Sequence, residues 1–407
     1  MIAHNTTQQQ PVLSNRTQRK NGEYEGENLT HFASTKNAFI SQALSCQTGI
    51  CLQLLLIKLA FCILASNPKR FILKQITPNN GSSKEALLEQ IAGTKQSIKE
   101  QLLENGALMF RGFDLKTPED FEEVALALEP GLQNNYAGTS PRNSRTKFVH
   151  SASELPGHYP IMQHCEMSFL PTAPRYLFFF CYVEPQDGGE TPVCDFRKVY
   201  DQMDPKIRKE FERRGVKLIR NYTGPKTKTG KDVYQLKRWD ELFKTTDHHV
   251  VEEEAKKNEL EVTWMDDDRL KLVNSRPSVL EHPDTGEKVW FNHLQVFHRE
   301  AAAIEYKHIY KRRGDLFSLK YMIALNTITF FKRLFKKPED EAMHMVFADD
   351  GSEIPKSYVE HVEQLIWNNL EAEPWKRGDV LMIDNFSTSH GRLPYKGPRD
   401  ILVAWSA

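Results

Sequence analysis

Apolar residues recur at helical spacing between Lys84 and Glu104, at Leu87, Leu88, Ile91, Ile98, Leu102 and Leu103, and Asn105-Gly106 closes the run. That spacing predicts an amphipathic helix. Ala107–Phe113 follows as a short apolar strand. Thr117-Pro-Glu-Asp then opens a second helix, with proline in its first turn and acidic residues suited to the positive end of the helix dipole. Beyond Ser140 strand signals multiply: Tyr176–Val183, Val216–Tyr222, Lys288–Phe291 and Val380–Ile383 are apolar or alternating runs, each closed by Gly, Pro, Asn or Asp. The stretches from about 301 to 337 and from 355 to 370 return to a helical period and read as insertions. The expected fold class is therefore mainly β with flanking helices, and no internal repeat is visible.

The first part of the chain differs. Up to about Leu44 it is rich in Asn, Thr, Gln and Ser, with too little apolar surface to fold alone. Residues 49–65 form a short apolar segment, below the roughly 20 residues that a bilayer span requires, and Lys58 interrupts it. It reads as an interfacial or partner-bound helix, and membrane association through it stays open. Three sequons, at Asn5, Asn15 and Asn28, would suit a lumenal amino end, but a tail of this composition produces them by chance. The expected organisation is an N-terminal extension over residues 1–66 and one globular domain over 67–407.

Charge narrows the partners. Lysine plus arginine equals aspartate plus glutamate at 54 each, so no overall field draws this protein to nucleic acid. Cysteines at 46, 51, 62, 165, 181 and 194 lack any C-x-x-C pair, and a chain of 407 residues needs no disulfide staples. They read as reduced thiols, which implies a cytoplasmic domain.

The candidate chemistry lies in Ile161-Met-Gln-His-Cys-Glu166. On an extended segment the side-chain period is two, so His164 and Glu166 share a side while Cys165 points away. One metal can take both. A distant histidine would complete two imidazoles and one carboxylate, a set that leaves metal positions open and suits non-haem iron(II). His390, after the apolar run Val380–Ile383, is the best candidate. His248-His249, in a charged stretch, reads as solvated surface, and His293 with His298 lacks an acid at the right spacing, although Asn292 and His293 could line a pocket.

The surrounding motifs resemble a known family. His164-Cys-Glu-Met-Ser, Pro174-Arg-Tyr-Leu-Phe-Phe-Phe-Cys, Gly188-Gly-Glu-Thr-Pro-Val-Cys-Asp195, Gly378-Asp-Val-Leu-Met-Ile-Asp-Asn, His390-Gly-Arg-Leu-Pro-Tyr and Arg399 occur in the order found in the taurine dioxygenase and clavaminate synthase-like family. The likeness runs from about Pro68 to the last residue and is strongest to the clavaminate synthase-like branch, which carries glutamate in the metal triad.

The resemblance implies a double-stranded β-helix of jelly-roll type with iron(II) at its mouth, 2-oxoglutarate as co-substrate and dioxygen as oxidant. It implies metal ligation by His164, Glu166 and His390, and a grip on the far carboxylate of 2-oxoglutarate by Thr191 and Arg399. Periodicity alone leaves Arg399 open, because residues on both faces of its strand are apolar. Arg392 faces either the co-substrate or solvent, and Arg142 is a candidate for substrate recognition. Val403 stands where taurine-branch relatives carry a second arginine, so a sulfonate substrate is not expected. An amino acid or small organic acid is. Two other readings remain at this point: a zinc hydrolase built on the same three ligands, and an inactive barrel serving as a membrane-tethered interaction module.

Overall fold

The computed structural model describes residues 73–134, 142–153, 155–227, 238–265, 268–336 and 341–406. The compact unit runs from Phe71 to Ala407. The expectations for residues 1–66, including the apolar segment 49–65, lie outside the described residues.

The first helix spans Lys84–Asn105, where Ser83 Oγ accepts from the Ala86 N–H and Gly106 ends it in the left-handed region at φ 71°. A Cβ at Gly106 would collide with Thr388, so glycine is required there for space as well as for φ. The second helix, Pro118–Leu128, starts with a reciprocal capping box between Thr117 and Asp120. Both lie over a seven-stranded sheet. Its order is Lys74–Ile76, Ala107–Phe110, Val380–Asp384, Tyr176–Val183, Asp400–Ser406, Leu132–Gln133, with His150–Ser151 also paired to Asp400–Ser406.

That sheet is buried on both faces. Leu402, Ala404, Phe178 and Phe180 pack with Leu87, Ile91 and Phe121 of the helices. Ile401, Val403, Phe179 and Leu381 pack on the other side with Val193. Val193 belongs to a four-stranded sheet ordered Leu370–Glu371, Val193–Asp195, Thr388–Arg392, Ile161–His164. Two sheets thus meet across an apolar layer, with helices outside the larger one. Among the described residues no strand pairing joins the two sheets.

Tyr176–Val183 and Val216–Tyr222 form over the ranges their patterns predict. The latter joins a further antiparallel sheet, ordered Glu261–Trp264, Leu270–Arg276, Val216–Tyr222, Met343–Phe347. The helical stretch after Ala301 divides in two, Ala301–Arg313 and Leu316–Phe335. Gly314 caps the first at φ 66°, and Asp315 caps the second by accepting from the Ser318 N–H at 2.7 Å. No described helix is long and apolar enough to cross a membrane.

Candidate metal centre

Strand register brings two distant histidines together. Ile161–His164 and Thr388–Arg392 run antiparallel, with His164 directly opposite His390. Facing residues on such a pair share a side and have Cβ atoms roughly 4.5–5.5 Å apart. The two imidazole centroids are accordingly 4.4 Å apart. The register slips between His390 and Arg392. Gly391 sits at the slip, where a Cβ would lie 2.5 Å from the Ile161 carbonyl oxygen, so a larger residue would force apart the strands that carry the histidines.

Glu166 arrives by a different route from the one alternation predicts. The strand ends at His164, Met167 adopts φ 54°, and the Ser168 and Leu170 N–H groups donate back to Cys165 and Met167 carbonyls. Glu166 therefore sits in a turn. Cys165 packs into the apolar core, and burial pushes its thiol pKa well up. The side chain of Asn385 holds Glu166 in place: the Glu166 N–H donates to Asn385 Oδ1 at 2.6 Å, and Asn385 Nδ2 donates to the Glu166 carbonyl at 3.1 Å. Sequence reasoning missed that role, since nothing local marks an asparagine that clamps a backbone 219 residues away.

The carboxylate Oε2 of Glu166 lies 3.9 Å from His164 Nε2 and 3.7 Å from His390 Nε2. One ligand atom from each residue lies within 4.8 Å of the others, the only such triple of His, Cys, Asp or Glu among the described residues. His164 Nδ1 is 2.8 Å from the Met162 carbonyl oxygen. A proton donated there leaves Nε2 as the lone-pair nitrogen toward the carboxylate, the orientation that metal-binding histidines are given by their outer partners. Burial, helped by His164, Arg142 and His293 nearby, holds the His390 pKa well below the usual histidine range, so its ring is neutral as a ligand must be. Two imidazoles and one carboxylate fit iron(II).

Arg142 donates to Glu166 Oε2 at 3.2 Å and to the Ala152 carbonyl at 3.0 Å. It thus touches the carboxylate of the triad. His293 also borders the centre, its ring centroid 5.5 Å from that of His164 and its Nδ1 2.7 Å from Ser168 Oγ. Burial lowers its pKa well below the usual range. His298 is elsewhere, with Nε2 against the Ile354 carbonyl. His248 stacks on Trp264 and His249 is exposed.

Thr191 lies two residues before Val193, which pairs with His390. Arg399 reaches it: its Nη2 donates to Thr191 Oγ1 at 3.4 Å while its Nε donates to the Gly189 carbonyl at 2.8 Å. Burial, with Arg392 nearby, pushes the Arg399 pKa down to about 10, which still leaves it charged at neutral pH. Arg392 is committed differently, donating to the carbonyls of Leu155, Pro156 and Tyr159 at 2.8–3.0 Å. Among the described residues no carboxylate lies within ion-pair distance of either arginine.

Residues 73–405 match the family described as taurine catabolism dioxygenase TauD, TfdA family. The chain belongs to this TauD/TfdA family. It is an iron(II)- and 2-oxoglutarate-dependent dioxygenase. Among curated TauD/TfdA-like relatives, it is 29% identical to the dapdiamide synthesis protein DdaC of Enterobacter agglomerans, over 74% of this chain and 82% of that one. A clavaminate synthase-like protein of Arabidopsis thaliana is 28% identical over 74% of this chain and 81% of its own length. Among solved structures, AAD-2 in complex with Mn(II) and N-oxalylglycine aligns at a TM-score of 0.40 and 15% identity, covering 77% of this chain and 87% of that one.

Proposed function

We propose that His164, Glu166 and His390 hold the iron, that Thr191 and Arg399 hold the distal carboxylate of 2-oxoglutarate, and that the two facing sheets form a double-stranded β-helix around them. The observation that carries this reading is the convergence of three ligand atoms within 4.8 Å from segments more than 200 residues apart in sequence, His164/Glu166 and His390. Bound iron and 2-oxoglutarate supply the oxidising chemistry, with succinate and carbon dioxide as co-products.

The protein's own residues bind and orient. His164 and His390 present their Nε2 atoms toward the Glu166 carboxylate, and Asn385 fixes the backbone from which Glu166 projects. Arg142 takes up part of the charge on the Glu166 carboxylate. Arg399 offers a planar, uncompensated guanidinium to a carboxylate, with the Thr191 hydroxyl beside it. His293 and Phe179, the latter 5.0 Å from the His390 ring, help to wall the centre against water. The prime substrate is a small molecule oxidised at a C–H bond, and an amino acid or small organic acid is the class that the resemblance to the clavaminate synthase-like branch implies.

The test is succinate formation. Purified protein with iron(II) and 2-oxoglutarate is screened against fractionated metabolite pools for substrate-dependent succinate release. Release by wild type, with loss in Glu166→Ala, supports the reading. Turnover that is independent of 2-oxoglutarate sinks it.

A further inference from the structure

The helix Leu316–Phe335 is built inside out. Its two buried residues are Ser318 and Thr329, whereas Leu316, Ile323, Phe330, Phe331, Leu334 and Phe335 are exposed, Leu316 at 83% and Phe335 at 82%. A helix on a globular surface ordinarily turns its apolar stripe inward. Residues 316, 323, 330 and 334 fall at i, i+7, i+14 and i+18, which at roughly 3.6 residues per turn keeps them in a stripe about 40° wide. An apolar stripe therefore points outward, with exposed Thr327 and Lys320 beside it. Of the ten large apolar residues exposed in the described chain, eight lie on this helix, so the exposure is not scattered.

The charge of the helix is one-sided. It contains Lys320, Lys332 and Arg333 and no acidic residue. At its carboxyl end Lys332, Lys336 and Arg299 crowd the carboxylate of Glu341, while Arg333 and Lys356 share Glu300. These ion pairs, with Lys356 also reaching Glu360 at 3.9 Å, tie the helix end to the body of the protein. The helix is not apolar enough to span a bilayer. An outward apolar stripe with exposed Lys320 beside it, on a helix that carries basic residues and no acid, instead suits the interface plane of an anionic membrane.

We propose that Leu316–Phe335 is a membrane-docking helix, lying flat on an anionic lipid surface with Phe330, Phe331 and Leu334 at the acyl boundary. Other occupants fit less well. A second copy would set this acid-free helix against another acid-free helix and supply no opposite charge. The chain's own apolar segment 49–65 carries Lys58 and no acid, so it matches the apolar face but not the charge. An anionic lipid surface supplies both an apolar layer and the opposite charge.

The experiment is co-sedimentation of the full chain with vesicles of phosphatidylcholine, alone or mixed with phosphatidylserine. Four proteins are compared: wild type; Phe330→Ser/Phe331→Ser/Leu334→Ser; Lys320→Gln/Arg333→Gln; and Leu54→Ser/Leu55→Ser/Leu56→Ser in the N-terminal segment. The expected result is several-fold more binding of wild type to the phosphatidylserine vesicles. The helix triple-serine variant should lose binding at least tenfold with unchanged circular dichroism, the charge variant should lose the preference for phosphatidylserine, and the N-terminal variant should keep both. The exposed positions carry no core packing, so the helix variant remains folded. Wild type that sediments with neither vesicle overturns the proposal, as does a helix variant that binds like wild type. Binding abolished by the N-terminal variant assigns the docking to that segment, and a wild-type dimer dissolved by the helix variant assigns the face to a second copy; either result also overturns it.

Discussion

The side-chain amide of Asn385 pairs with both backbone groups of Glu166, accepting from its N–H at 2.6 Å and donating to its carbonyl at 3.1 Å. Asn385 also donates to the Pro174 carbonyl at 2.8 Å and thereby ties the turn after His164 to the end of the Val380–Asp384 strand. In effect it is a strand partner supplied by one side chain. Asn385→Ala would leave buried backbone groups unpaired, a cost of about 1–3 kcal/mol. It should also weaken iron binding by roughly 10–100-fold, the range for removing an outer-sphere partner. Iron titration and thermal melting of Asn385→Ala check this. Unchanged iron affinity in a destabilised variant would mean that the clamp serves the fold alone.

Arg399 and Arg392 should separate cleanly. If Arg399 holds the distal carboxylate of 2-oxoglutarate, Arg399→Ala should cost on the order of 2–5 kcal/mol of co-substrate affinity, the range for truncating one partner of a buried charge pair. Arg399→Lys should recover only part, since an ammonium cannot offer two parallel donors. Arg392→Ala strips donors from three carbonyls of the Leu155–Tyr159 segment. Its main effect should be a lower melting temperature. Titration of the anaerobic iron(II) protein with 2-oxoglutarate distinguishes them, and a larger affinity loss in Arg392→Ala would reverse the assignment.

The motifs name the three residues that lie together at this centre, and what the sequence leaves out has physical causes. Motif order pointed to His164, Glu166 and His390, but their meeting depends on the register of two strands separated by more than 200 residues, which no local pattern encodes. Arg399 was ambiguous because its strand is covered on both faces, by the helices on one side and by the second sheet on the other. Alternation signals a strand with one wet face and is silent for a strand with none. The same-side argument for Glu166 assumed extended backbone that in fact ends at His164. Tyr176–Val183 and the first helix were readable because long runs of one period leave few alternatives. Glu261–Trp264 is not, being four residues long with Glu261 and Thr263 exposed.

A second kind of buried acid makes a pH prediction. Glu305 and Glu363 lie on two neighbouring helices, Ala301–Arg313 and Lys356–Asn368, and both are buried. Burial raises the Glu305 pKa to about 7, and burial together with Glu305 raises Glu363 further above the usual carboxylate range. A carboxyl whose pKa is higher folded than unfolded binds more protons in the folded state, so stability falls as pH rises from about 4.5 toward 7. The Trp367 indole N–H donates to Glu305 Oε2 at 2.8 Å, a contact that a glutamine oxygen can also accept. Glu305→Gln should therefore melt higher than wild type at pH 8, by up to about 3 kcal/mol of stability, and nearly alike at pH 5. Melting curves at the two pH values decide it, and an equal shift at both would show that the gain is not one of ionisation.

If His164, Glu166 and His390 hold the metal, the iron content of the protein must depend on each of them. Anaerobic iron(II) is titrated into wild type, His164→Ala, Glu166→Ala, His390→Ala and Cys165→Ala, and the visible charge-transfer band that 2-oxoglutarate forms with chelating iron(II) is recorded for each. Stoichiometric iron and the band are expected in wild type and Cys165→Ala, and loss of most iron and of the band in the other three, because two ligands make too weak a chelate. Iron and band retained in Glu166→Ala but lost in Cys165→Ala would show that Glu166 is not a ligand.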